Sequence, residues 1–252
     1  MEAILITAIK IVFLLGFLIF IHEFGHYTVA KLCKVRVNEF SIGFGPKIFS
    51  KNKNETEYEI RLIPLGGYVA LEGEDELSDK EGSFNKASIR DRIAIIASGA
   101  IVNILFGLAL YFVILQIRYI DVMNSSFLAG TKYAISSLGK LIIELFKEIG
   151  YLFSGKFSLN DMTGPVGISN MISKTNGFIE FLYLLSIISI SLGMTNLLPF
   201  VPLDGGKVLL LIIEGVRKKP LNENLVINLN MVGMFILITL SIVVTFNDVK
   251  LL

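Results

Sequence analysis

The chain has 252 residues, 53% of them hydrophobic, and a mean hydropathy of +0.68. That apolar share exceeds what a soluble domain carries and marks a polytopic membrane protein. A net charge of +1 gives no reason to expect nucleic acid, and the single cysteine, Cys33, excludes an intrachain disulfide or a Cys-x-x-Cys zinc site.

Four segments are apolar and long enough to cross about 30 Å of hydrocarbon: 4–30, 93–117, 178–200 and 225–246. The first has no small-residue cleavage site and is interrupted by Lys10, so it reads as a retained span rather than a signal peptide. Its wholly apolar run 11–21 leads straight into His22, Glu23, Phe24, Gly25 and His26, an H-E-x-x-H string that holds both histidines of the chain. On a helix, positions i and i+4 share a face, so two imidazoles can reach one metal ion, with Glu23 beside them as general base for a metal-bound water. Ionisable groups at the inner end of a span are costly and usually functional.

Residues 35–71 alternate apolar and polar, at Val35, Val37, Phe40, Ile42 and Phe44 and again at Tyr58, Ile60 and Leu62, around the polar stretch 50–56. This predicts a membrane-associated β-hairpin or small sheet beside the motif, shielded by helices or lining a cavity. Pro64 followed by Gly66 and Gly67 marks a sharp turn. Residues 72–92 are rich in acids without calcium-loop spacing and read as a solvated loop. In the second span, Gly99, Asn103 and Gly107 recur every four residues, which suits close helix packing. Residues 131–153 place apolar side chains from Ile135 to Ile149 on one side and Lys140, Glu144, Lys147 and Glu148 on the other, predicting an amphipathic surface helix. Lys31, Lys34, Arg36, Lys86, Arg90, Arg92, Lys207 and Arg217–Lys219 flank the first three spans on one side. The positive-inside rule puts those loops in the cytoplasm, and 118–176 and both termini outside.

A catalytic zinc takes three protein ligands and leaves one position for water. With no third histidine, the candidates are Asp204, Glu39 and Glu214. Asp204 is preferred, because NLLPFVPLDGG breaks a helix at membrane depth, and an acid there needs a cation.

The H-E-x-x-H of the first span together with N-x-x-P-x-x-x-L-D-G-G in a late span resembles the site-2 protease family of intramembrane zinc metalloproteases. The likeness is closest to the bacterial branch that cleaves anti-sigma factors and remnant signal peptides. GFGPKIF, RLIPLGGYVAL, RIAIIASGAIVN, TGPVGI and FND extend it over nearly the whole chain. The resemblance implies one zinc ion held by His22, His26 and Asp204, with Glu23 activating water. It also implies Asn196 on the substrate backbone, and the strand and turn at Gly66 and Gly67 are further candidates for substrate contact. It implies an α-helical polytopic protein of about four spans forming a single membrane-embedded metalloprotease domain over 1–252, in the inner (cytoplasmic) membrane with its active site toward the cytoplasm. Substrates would be transmembrane segments of single-pass proteins. The segment 118–176 leaves no room for the PDZ domain of about 90 residues that such relatives carry. Ala100 and Ser191 replace a proline and an asparagine common there. Two rival functions, a metal transporter and a catalytically silent membrane-protein-binding protein, need further ligands or leave Glu23 without a purpose.

Overall fold

The computed structural model describes residues 2–74, 76–155 and 162–251. Asp75 of the acidic run and residues 156–161 of the expected outer segment lie outside them. The elements are α1 (Glu2–Leu32), β1 (Val37–Lys53), β2 (Thr56–Leu71), a 3-10 turn (Phe84–Lys86), α2 (Ile89–Met123), α3 (Phe127–Phe153), α4 (Pro165–Ser173), α5 (Phe178–Asn196), α6 (Asp204–Arg217) and α7 (Glu223–Leu251). Helices α1, α2, α5 and α7 are long and apolar enough to cross a membrane, so the protein is a multi-pass membrane protein.

Local chemistry sets the helix ends. Ser88 accepts from the Asp91 amide and returns its hydroxyl to the Asp91 carboxylate, a capping pair that starts α2 four residues before the apolar run. Asn222 Oδ1 accepts from the amides of Asn224 and Leu225 and caps α7. α5 stops at Asn196 rather than at 200, because Pro199 and Pro202 cannot continue a helix. α7 runs past 246 to Leu251. Asp248, in that extension, is buried and accepts from the Gly164 and Gly167 amides at the start of α4, at 3.2 and 2.8 Å.

Contacts divide the chain into two units: 1–104 with 191–235, and 105–190 with 236–252. The second contains α3, α4 and parts of α2, α5 and α7. There Gln116 donates to Thr131, Tyr111 packs on Tyr183, and Ile114, Ile172 and Leu185 are buried. α3 leaves Ile135, Ile142, Ile143 and Phe146 exposed, as a helix lying on an apolar surface does.

The first unit packs Ala30, Val35, Val37, Leu71, Phe84, Ile95, Ile96 and Leu211 into one core, each larger side chain contributing roughly 1.5–3 kcal/mol. Its sheet is more folded than a hairpin. β1 and β2 double back near Gly43 (φ +90°) and Gly66 (φ +135°), values that glycine adopts readily. Two strands thus supply four paired segments. Residues 47–53 pair with 56–61, while 39–42 lie along 57–60 on one side and 67–70 on the other. Residues 50–53, expected as turn, are strand, and the turn contracts to Asn54 and Glu55, both at positive φ. Their polarity misled because backbone pairing with 56–59 holds them in the sheet while their side chains stay exposed. Lys47 bridges Glu57 and Glu59, and Ser50 donates to Glu57.

The sheet runs back along α1. Val35 N donates to Ala30 O at 2.8 Å, whereas a Cβ on Gly16 would come within 2.7 Å of Pro64 O. At 1.5 Å per residue, those α1 positions are about 21 Å apart. Phe44, Ile48, Phe49, Leu62 and Ile63, at the Pro64 end, are exposed. An apolar rim beside the middle of a span suits lipid contact.

The loop after β2 is ordered rather than merely solvated. Glu72 is buried and accepts from Asn38, Ser78 and Lys80, and its backbone bonds to Arg36 and Phe84. Ser78 and Lys80 belong to the acidic run itself, and what its pattern does not announce is that Asn38 and the Arg36 backbone fold against it.

Candidate metal centre

His22, Glu23 and His26 lie on α1, ten to six residues before its end. Asp204 opens α6, after the unwound stretch 197–203. That stretch folds tightly onto the first turn of α6. A Cβ on Gly205 would stand 2.2 Å from Leu197 O, and one on Gly206 would stand 2.4 Å from Val201 N, so only glycine fits. The helix N-terminus also favours an anion at 204.

The donor atoms converge. His22 Nε2 lies 3.1 Å from Asp204 Oδ2, His26 Nε2 lies 3.4 Å from it, and the two imidazole nitrogens are 3.1 Å apart. A tetrahedral ion with bonds of about 2.0–2.2 Å separates its ligand atoms by roughly 3.3–3.5 Å. The triad therefore fits zinc with shifts of a few tenths of an ångström, and two imidazoles with a carboxylate are a donor set zinc accepts. His26 Nδ1 donates to Ile95 O at 2.8 Å, which leaves Nε2 free to ligate and fixes the ring. Burial works against charge on Asp204. Hydrogen bonds and charge from His22 and His26 outweigh it and hold the carboxyl below its ordinary range.

A cavity of about 200 Å³ contains His22, Glu23, His26 and Asp204, with Tyr68, Val69, Ile95, Ile96, Glu74 and Lys207 also on its wall. The rival acids are engaged elsewhere. Glu39 accepts from Tyr68 OH at 2.6 Å, and Glu214 pairs with Arg92 at 3.2 Å and accepts from the Leu221 amide. Gly67 comes against the site, since a Cβ there would lie 3.5 Å from Glu23 Cγ. Gly66 instead packs on the Phe44 ring, and Asn196, half-buried at the end of α5, is not on the cavity wall.

Several contributors escape sequence reasoning. Gly99 is the main one. A Cβ on it would fall 2.4 Å from His26 Nε2 and 2.9 Å from His22 Cε1. The four-residue spacing signalled a close-packed face, but spacing cannot say that the imidazoles press on it. Gly25 makes the reciprocal approach: a Cβ there would stand 2.7 Å from Ser98 O. Lys207, one turn after Asp204, donates to Glu74 at 3.2 Å, and both line the cavity. A further acidic group, Glu39, Glu57 and Glu59, is paired with Lys47 and Arg61.

The sequence matches the model of Peptidase family M50 over residues 10–240. It is 28% identical to a provisionally named zinc metalloprotease of Clostridium acetobutylicum, covering 93% of this chain and 94% of that one. It is 23% identical to the zinc metalloprotease RasP of Bacillus licheniformis (97% and 99% covered) and 23% identical to the regulator of sigma-W protease RasP of Bacillus subtilis (97% and 98% covered). The alignment with the Clostridium protein spans 322 positions, more than the 252 residues present, so that relative carries residues with no counterpart here.

Proposed function

Since the chain belongs to peptidase family M50 and is an intramembrane zinc metalloprotease of the site-2 protease type, we propose that His22, His26 and Asp204 hold its zinc ion and that Glu23 is its general base. The observation that carries this reading is the convergence of His22 Nε2, His26 Nε2 and Asp204 Oδ2 in one cavity with Glu23. Zinc, when bound, lowers the pKa of a water ligand toward about 7 and polarises the scissile carbonyl. Glu23 takes the proton of the attacking water and later gives it to the leaving amine. Ile95 O holds His26 in the ligating tautomer, and Gly67 lets an extended backbone approach Glu23 without a side chain between them.

A helical peptide bond is shielded, so the substrate segment unwinds before attack. Segment 67–71 has no strand on its outer side among the described residues, whereas 56–61 is flanked on both. An unwound substrate adds to that edge by β-augmentation. That edge is the part of the sheet that passes the site, with Gly66 placing the bend before it. Asn196 is assigned to the substrate backbone on the resemblance alone.

The substrates are transmembrane segments of single-pass proteins, of the anti-sigma factor or remnant signal peptide kind. The Bacillus subtilis relative, named as a regulator of sigma-W, supports that class. The protein sits in the inner (cytoplasmic) membrane as one metalloprotease domain, with the basic loops and active site toward the cytoplasm and both termini outside. Purified protein incubated with a panel of single-pass segments, with product masses locating the cut, tests the reading. Cleavage within the apolar segment is expected, lost about 10²–10⁴-fold in Glu23→Gln at unchanged zinc content. Full cleavage by Glu23→Gln would overturn the assignment.

A further inference from the structure

At the end of α1, three cations of the stretch 31–36 and one from the loop after β2 surround one open groove of about 660 Å³: Lys31, Lys34, Arg36 and Lys80, with Glu55 and Glu81 as the acids on its wall. Lys31 donates to Thr56 at 2.8 Å and Lys80 pairs with Glu72 at 3.1 Å, so both ammonium groups are held in place. The Arg36 amide donates to Gly82 O at 2.8 Å and ties the loop to the linker. Arg36 itself is under-used. Its Nε is buried with no hydrogen-bond partner among the described residues, and its NH1 reaches Glu55 only at 3.7 Å. Four cations line the groove against two carboxylates on its wall and a third, Glu72, that engages Lys80 from outside it, so positive charge remains in excess.

The groove lies where a span leaves the hydrocarbon. Phe24, Thr28 and Leu32 step along one side of α1 toward it, with Phe24 and Leu32 exposed. That apolar side followed by a basic groove matches a lipid, with acyl chain along the helix and headgroup at its end. We propose that this groove binds the phosphate of an anionic phospholipid. An oxyanion with several acceptor oxygens bridges the exposed part of the Arg36 guanidinium and the Lys34 ammonium, which neither flanking carboxylate does. His26 and His22 lie five and nine residues inward of Lys31, about 8 and 14 Å along the helix. A lipid gripped at the helix end holds the motif at a set depth below the headgroups.

The test uses the full chain purified in nonionic detergent, with native mass spectrometry counting retained lipid. Phosphatidylglycerol is titrated against phosphatidylcholine, with inorganic phosphate as competitor. One phosphatidylglycerol per chain is expected at concentrations where phosphatidylcholine is not retained. At roughly fivefold per interfacial charge, Lys34→Gln with Arg36→Gln should weaken retention by about 30-fold. Lys218→Gln with Lys219→Gln removes equal charge elsewhere and should leave retention unchanged. Should the first pair fail to fold, Lys34→Gln alone, at an exposed position, carries the test with a smaller drop. Equal retention of both lipids, or equal loss in both variant pairs, overturns the proposal. Displacement of phosphatidylglycerol by millimolar inorganic phosphate would assign the groove to free phosphate and overturn the lipid.

Discussion

Replacing Gly99 by alanine tests the packing of α2 on the metal site. The added methyl would stand 2.4 Å from His26 Nε2, 2.8 Å from His26 Cε1 and 2.9 Å from His22 Cε1. Ordinary contact begins near 3.5 Å, so His26 has to retreat by about 1 Å. Its ring is tied to Ile95 O at 2.8 Å, and α1 cannot back away without opening the contact of Gly25 with Ser98. Metal sites tolerate ligand displacements of about 0.2 Å. Loss of support to a ligand costs 10–100-fold in metal affinity, and a 1 Å displacement belongs at the upper end, so zinc affinity should fall by about 100-fold. Catalysis should fall by a similar factor even at saturating zinc, because a misplacement of that size costs about 10²-fold. The assay is zinc per chain across a series of chelator-buffered zinc concentrations, with cleavage measured in parallel. Gly107→Ala is the control. Its methyl meets Ile190 Cγ1 at 2.6 Å and Ser186 O at 2.7 Å, so it should lower thermal stability and leave zinc affinity alone. Parent-level zinc affinity in Gly99→Ala would refute the argument.

Asp204→Ala should strip zinc from the protein while Glu39→Ala keeps it, read as metal content after dialysis; the reverse would move the third ligand to Glu39. Hydrogen bonds from Ser78, Asn38 and Lys80 hold the Glu72 carboxyl down to about 2, against an ordinary value of 4.5. With the folded value depressed, its stabilisation is complete above 4.5 and is lost as pH falls from there through about 2. Acid unfolding of Glu72→Gln should lack that component, and an unchanged pH profile would show the network to be idle. Topology is checked in a Cys33→Ser background by single cysteines at 53, 218 and 147. The first two should react from the cytoplasmic side of sealed membranes and the third from outside, and labelling of 147 only from the cytoplasm would overturn the four-span topology.

Local pattern was enough for the membrane class, the four spans, the strand-forming region 35–71 and the H-E-x-x-H pair, because each depends on residues close in the chain. Apolar run length decides a span, and 3.6-residue periodicity alone puts His22 and His26 on one face. That Asp204 stands beside the two histidines was legible for a different reason. An acid in a proline- and glycine-broken helix end demands a partner, though the sequence could not exclude Glu39 and Glu214. Their ion pairs and hydrogen bonds, with Tyr68 and with Arg92 and Leu221, come from residues 29, 122 and 7 positions away. The fold of the sheet was beyond reach of alternation. Period two predicts strands but not where one doubles back, and the bends near Gly43 and Gly66 leave 67–71 with its open side. Gly99 shows the limit most plainly. A glycine announces that something comes close, and only the crossing of α1 and α2 decides that the close neighbour is an imidazole.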